Sequence, residues 1–210
     1  MGAPVGAPMA DTRKILWLVA ALALSLLLMG LLYAQNRHLR LVRDELQSRA
    51  FQPYVEMWLP EVWTKTLDGV PIRLGTPPAR YQVLYFFAQD CPLCPGSAPA
   101  VRALAQRLSR DPSVEMVGVG TGKPDAVRRQ AAGYGFRFPV ATLSDRRALA
   151  LFKANSMPLL LVADADGQVR YWHGGAIEDA AALDDALAAM GLAQGNGEPI
   201  VIERGAESQD

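Results

Sequence analysis

Residues Ile15 to Tyr33 read ILWLVAALALSLLLMGLLY, nineteen in succession without a charged side chain. At 1.5 Å per residue a helix of that length is roughly 28 Å long, about the thickness of a bilayer's hydrocarbon core. Trp17 and Tyr33, near its two ends, suit the headgroup interfaces, where aromatic rings with a polar edge concentrate. A cleaved signal peptide is the rival reading, with Arg13 and Lys14 as its basic leader. Its apolar core would be only about 7 to 15 residues, and Leu32-Tyr33-Ala34 is a poor small-x-small cleavage site. The run therefore predicts a retained single-pass helix over residues 15–34, anchored in the lipid bilayer through Ile15–Tyr33, behind a short cytoplasmic tail of residues 1–14.

The flanking charges point the other way from export. Arg13 and Lys14 precede the span, while Arg37, Arg40, Arg43 and Arg49 follow it. Taken literally, the positive-inside rule puts the C-terminal part in the cytoplasm, yet long folded domains are exported largely regardless of such charges. Charge alone leaves the orientation open.

Beyond the span, half of the 210 residues are apolar and a fifth are charged, which excludes disorder of the whole chain. Lys plus Arg equals Asp plus Glu at 21 each, so no basic surplus remains to hold a phosphate backbone, and nucleic acid is not an expected partner. With only Cys91 and Cys94, a multi-disulfide scaffold and a four-cysteine zinc site are excluded.

Residues 35–59 read as a juxtamembrane helical linker. Leu39, Val42 and Leu46 fall on one stripe of a solvated spacer, too short for a convincing dimer seam, and Gln52-Pro53 breaks it. One α/β domain is expected over residues 60–193, followed by a flexible tail of residues 194–210, where only Ile200, Val201 and Ile202 are strongly apolar. Within the domain, Val83 to Phe87 and Val114 to Val119 read as strands, separated by a helix over 92–110. Helices are expected over 124–134, 144–155 and 177–190, with 159–162 and 169–172 forming a hairpin around Asp164 to Gly167.

Cys91-Pro92-Leu93-Cys94 stands where the first strand ends and its helix begins. That placement puts Cys91 at a helix N-terminus, where unpaired N–H groups and the macrodipole favour a thiolate. Cys94, one turn on, can resolve a mixed disulfide, and Pro92 suits a first helical position that needs no N–H. The bland alternatives are two buried thiols or half a zinc clip, for which only His38 and His173 remain as further ligands.

From about residue 60 to 190 the chain resembles the membrane-anchored thioredoxin-like proteins of the TlpA/ResA type. Leu67-Asp68-Gly69 before Val70-Pro71-Ile72 looks like that family's leading hairpin, and Tyr85 to Cys94 like its active-site strand and C-x-x-C. Pro99 matches the proline that kinks the active-site helix. Phe138-Pro139-Val140 with Ser144-Asp145, and Ser156-Met157-Pro158 followed by Leu159 to Asp164 and Gly167, are similar to further family segments. The resemblance implies a thioredoxin-like fold, a central mixed sheet flanked by helices, with Pro158 cis beside the disulfide. It implies thiol–disulfide exchange in which Cys91 attacks and Cys94 resolves, while Met157 offers its backbone to a bound peptide and Pro158 keeps the groove open. It also implies an extracytoplasmic, disulfide-bearing protein client, a membrane electron donor of the thiol-relay type, and a periplasmic domain on a bacterial inner membrane. Cytochrome c apoproteins are a family-level expectation for the client. No cofactor and no metal are called for.

Three departures carry information. Asp90 replaces the tryptophan that thioredoxins place before the first cysteine, and Pro95 replaces a frequent basic residue after the second. Both withdraw support from a thiolate and predict a reductant. Tyr85 stands where many thioredoxins carry a buried acid; tyrosine ionises near pH 10 and is a poor base at neutral pH.

Other signals are set aside. Gly118-Val-Gly120-Thr-Gly122-Lys123 misses the P-loop pattern at Val117 and Pro124 and reads as a strand-exit loop. Asp164-x-Asp166-Gly167 lacks the EF-hand spacing and reads as a turn. Ala88 occupies the threonine position of a peroxiredoxin-like T-x-x-C, against peroxidase chemistry. Two alternatives stay beside the reductase. One is a copper chaperone resembling the Sco proteins, with His173 as third ligand, although that family spaces its cysteines by three residues. The other is a dedicated maturation factor resembling MauD.

Overall fold

Val83, Leu84, Tyr85, Phe86 and Phe87 are all fully buried, so the strand that holds them, β3 (Tyr81–Ala88), has to be covered on both faces. The sheet is built around it. In the computed structural model, which describes residues 9–192, β1 (Val62–Lys65) and β2 (Pro71–Leu74) form a separate two-stranded sheet. A five-stranded sheet runs in the order β5 (Val140–Thr142), β4 (Val114–Thr121), β3, β6 (Leu159–Asp164) and β7 (Val169–Gly174). The β3–β4 and β4–β5 pairs are parallel, while β3–β6 and β6–β7 are antiparallel.

Side chains alternate across a strand, and β3 and β6 divide between two cores accordingly. Val83, Tyr85, Phe87, Leu160 and Val162 face α2 (Cys94–Leu108), α3 (Pro124–Gly133) and α5 (Ala181–Ala189). On the other face, Leu84, Phe86, Leu159 and Leu161 meet α4 (Arg146–Leu151) and the β1–β2 hairpin. One buried polar side chain joins the two sheets. Gln82 Oε1 accepts the Gly75 N–H at 2.8 Å, and its Nε2 donates to the Arg73 carbonyl at 2.8 Å and to Glu115 Oε2 at 2.7 Å. Replacing Gln82 by leucine strands the Gly75 and Arg73 groups, and is expected to cost about 2 to 3 kcal/mol. Urea unfolding checks this: an unchanged midpoint would show that the hairpin does not depend on Gln82.

The chain divides into two compact units, Met1–Ala50 and Phe51–Asp210. The first carries α1 (Met9–Phe51) apart from its last residue, and the described large side chains from Ile15 to Tyr33 are all exposed. Its stretch Lys14–Arg40 is long and apolar enough to cross a membrane, a test that a signal sequence also passes. The tail expected over 194–210 and the side chains of Val42 and Leu46 lie outside the described residues.

Several expected boundaries shift. Residues 54–59, placed in the linker by sequence, belong to the second unit. Glu56 donates to the Val169 carbonyl, Val169 to Met57 and Leu59 to Gly167, each at 2.8 Å, and Met57 and Leu59 are buried. The helix expected over 144–155 is shorter: Asp145 caps α4 by accepting from the Arg147 N–H, and Lys153 takes φ 54° just after it. The last helix opens at Ala181, and the buried Ile177 lies ahead of it, giving its N–H to Ser97 Oγ at 2.9 Å. β5 has three residues, too few to show a period in sequence. The strand expected over Val114 to Val119 continues through Gly120, read as loop, to Thr121 in β4. The Asp164 carboxylate closes the hairpin turn by accepting from the Asp166 and Gln168 N–H groups at 3.1 and 2.9 Å.

Candidate functional site

At the end of β3 the chain turns at once, the Cys91 N–H returning to the Ala88 carbonyl at 3.3 Å. Cys91 and Cys94 are joined as a disulfide with Cα atoms 5.5 Å apart. Here the sequence expectation needs correction. α2 begins at Cys94, so Cys91 and Pro92 lie in a turn ahead of it, and Pro92 is not a first helical residue. The second proline is the reason. Pro95 has no N–H to send back to the Cys91 carbonyl, and the ladder opens with the Ser97 N–H on Leu93 at 3.3 Å. Pro95 also removes one of the unpaired N–H groups that a helix start offers to an anion.

The two sulfurs are placed differently. Cys91 retains 8% exposure and Cys94 none. Cys91 forms one wall of a groove of about 440 Å³, together with Asp90, Thr121, Asn155 and Met157. The Met157–Pro158 bond is cis. Met157 lines the groove, its Sδ accepting from Thr121 Oγ1 at 3.7 Å. Pro158 is buried, and its carbonyl accepts the Gly175 N–H at 2.9 Å. Asp90 is exposed at the rim. A larger depression of about 590 Å³ exists between α2 and residues 135–138, among Arg102, Gln106 and Phe138, but neither cysteine lines it.

Tyr85 is fully buried in the core cluster that contains both cysteines, stacked on Phe87 and edge-on to Phe136. Its hydroxyl meets no hydrogen-bond partner. Burial pushes its ionisation far above the ordinary tyrosine range, and nearby Tyr134 adds to the rise. The Ser97 hydroxyl beside it acts in the opposite direction, while it donates to the Leu93 carbonyl and accepts from the Ile177 N–H. His173 lies two strands from β3, in register with Leu160 and through it with Tyr85. Its Nε2 sits 3.1 Å from the Ala176 carbonyl. Among the described residues no three His, Cys, Asp or Glu side chains gather into a metal-holding group.

The structure thus brings Cys91, Cys94 and Tyr85 into one cluster, with Asp90 and Met157 along the groove. It adds residues that sequence reasoning missed. Gln130 donates from Nε2 to the Ala88 carbonyl at 2.8 Å and to Tyr134 Oη at 2.9 Å, bracing the strand end from which Cys91 departs. Thr121 and Asn155 complete the groove. Only Ser97 had a sequence signal, standing one helical turn after Cys94 on the same inward face.

Known proteins share this fold. The sequence model of the AhpC/TSA family matches residues 56–172, and no curated protein matches the chain in sequence. Among solved structures, the thioredoxin domain of a thiol-disulfide oxidoreductase from Bacteroides vulgatus is 14% identical, with a TM-score of 0.56, covering 67% of this chain and 97% of that one. The structure of MTB DsbF is 25% identical with a TM-score of 0.52, covering 61% and 94%. A secreted Mycobacterium tuberculosis disulfide oxidoreductase homologous to E. coli DsbE is 23% identical with a TM-score of 0.50, covering 60% and 95%. The fold is thioredoxin-like, as the sequence resemblance implied.

Proposed function

The chain belongs to the AhpC/TSA family, and from that membership we propose that it is a membrane-anchored thiol–disulfide oxidoreductase working as a reductase on extracytoplasmic proteins. The observation that carries the reading is the asymmetry of the pair: Cys91 borders an open groove, while Cys94 is sealed beneath it. A reduced Cys91 thiolate attacks one sulfur of a client disulfide and displaces the other as a thiolate. Cys94 then attacks Cys91 Sγ, releasing the second client sulfur and regenerating the disulfide seen here. Two electrons pass from the dithiol to the client, and a thiol donor at the membrane returns them. Met157 and Asn155 line the groove that an extended client segment would occupy.

Ala88 at the third position before Cys91 supports exchange over peroxide reduction. The reductase direction rests on Asp90 at the groove rim and on Pro95, whose missing N–H weakens the helix start as an anion site. A less stabilised thiolate keeps the dithiol a better electron donor. Lys14–Arg40 supplies the anchor, with the folded unit on the outer side of a bacterial inner membrane.

The reduction potential of the full-length protein, equilibrated against thiol buffers in detergent, tests this reading. A value near or below that of thioredoxin, about −270 mV, is expected; one near −120 mV would make the protein an oxidant. Copper bound tightly by the pair without any thiol exchange would sink the enzyme reading altogether.

A further inference from the structure

A tyrosine hydroxyl is rarely buried without a partner, since an unmade hydrogen bond in an apolar interior costs about 1 to 3 kcal/mol. Tyr85 Oη is such a group, and the packing leaves its ring little freedom to escape. Phe87 stacks on it with centroids 6.0 Å apart, and Phe136 meets it edge-on at 5.8 Å. The nearby Ser97 hydroxyl donates to the Leu93 carbonyl and accepts the Ile177 N–H, and it does not meet Tyr85 Oη in hydrogen-bond geometry. Both cysteines belong to the same core cluster as Tyr85, and in the disulfide neither sulfur accepts its proton.

We propose that Tyr85 is a redox-dependent hydrogen-bond donor, orphaned while Cys91 and Cys94 are joined and paired with Cys94 Sγ once they are reduced. The inference rests on the exchange function proposed above and assigns a residue to it. Reduction adds two electrons, breaks the S–S bond and separates the sulfurs from covalent to van der Waals distance. Cys94 Sγ, buried at the start of α2 and one turn from Ser97, becomes a thiol or thiolate, a far better acceptor than a disulfide sulfur. Tyr85 keeps its proton throughout, because burial makes its ionised form inaccessible at neutral pH. It therefore acts as a donor and not as a base. Stabilising the Cys94 thiolate in this way would ready it to attack Cys91 Sγ in the mixed disulfide. Tyr85 then opposes Asp90: one favours the reduced pair, the other disfavours it.

Tyr85→Phe in the full chain is the test, since it deletes one oxygen and keeps the ring. The dithiol–disulfide equilibrium against a dithiothreitol buffer is expected to move about tenfold toward the disulfide, or roughly 30 mV more negative for this two-electron couple. In a Cys91→Ser background, where Cys94 titrates alone, thiolate absorbance should show the Cys94 ionisation moving up when Tyr85 becomes phenylalanine. Urea midpoints supply a second readout: Tyr85→Phe should stabilise the oxidised protein and destabilise the reduced one. A merely structural tyrosine would shift both forms alike. If the equilibrium is unchanged or moves toward the dithiol, the assignment fails while the exchange function stands. If the wild-type pair does not equilibrate with the buffer at all, both fall.

Discussion

Cys94→Ser is expected to halt turnover after the first chemical step and leave the chain covalently joined to its client. Cys91 borders the groove and can still attack, whereas the group that should release the mixed disulfide is gone. Incubating the reduced variant with a disulfide-bearing test protein should therefore build up a one-to-one adduct that dithiothreitol dissolves. The reciprocal Cys91→Ser should form the adduct at least roughly a hundredfold more slowly, because Cys94 has no exposure and reaches a client only through local opening of the start of α2. Adducts forming equally fast through either cysteine would contradict the assignment of attacking and resolving thiols. Non-reducing electrophoresis with mass spectrometry of the linked peptides distinguishes the two.

Gly120→Val should cost about 3 kcal/mol, at the upper end of what overpacking a core does. Gly120 lies on the face of β4 that receives α3, and a Cβ there would stand 2.1 Å from Val127 Cγ1 and 2.9 Å from Cγ2. The clash arises at the first carbon and is not relieved by turning the new side chain. For a unit of this size that loss corresponds to roughly 6 to 12 °C in Tm. Val127→Ala in the same chain removes the clashing methyl groups and should recover most of the loss, although alone it would destabilise by opening a cavity. Additive effects of the two substitutions would show that strand and helix do not meet as described.

The same glycine marks where sequence reading stops. The spacing Gly118-x-Gly120-x-Gly122 was legible, but its cause was not: Phe138 and Val140 crowd Gly118, and Val127 crowds Gly120. A residue chosen to leave room for a side chain on another element looks, in sequence, like a residue chosen for a loop. The linker assignment for residues 54–59 went astray similarly. Met57 and Leu59 are too few to show a period, and their backbone partners Gly167 and Val169 stand more than a hundred residues on. Pro92 and Pro95 compete for the start of α2, and the missing Pro95 N–H decided it for Cys94.

What the sequence determined by itself was a helix able to span a bilayer, a cysteine pair and a buried strand. Nineteen uncharged apolar residues specify a helix able to span a bilayer, because transfer from water depends on composition and length. Two cysteines three apart at a strand-to-helix junction specify a pair able to close a disulfide, because one turn sets their separation. The run from Val83 to Phe87 specifies a strand covered on both faces. The tertiary structure alone decided which sulfur faces the groove, where Met157 and Thr121 meet, and that the Tyr85 hydroxyl is left without a partner. These are properties of space enclosed between distant segments. Burial and hydrogen-bond satisfaction are settled only when β3, α2 and α3 close on one another, and no single segment carries that information.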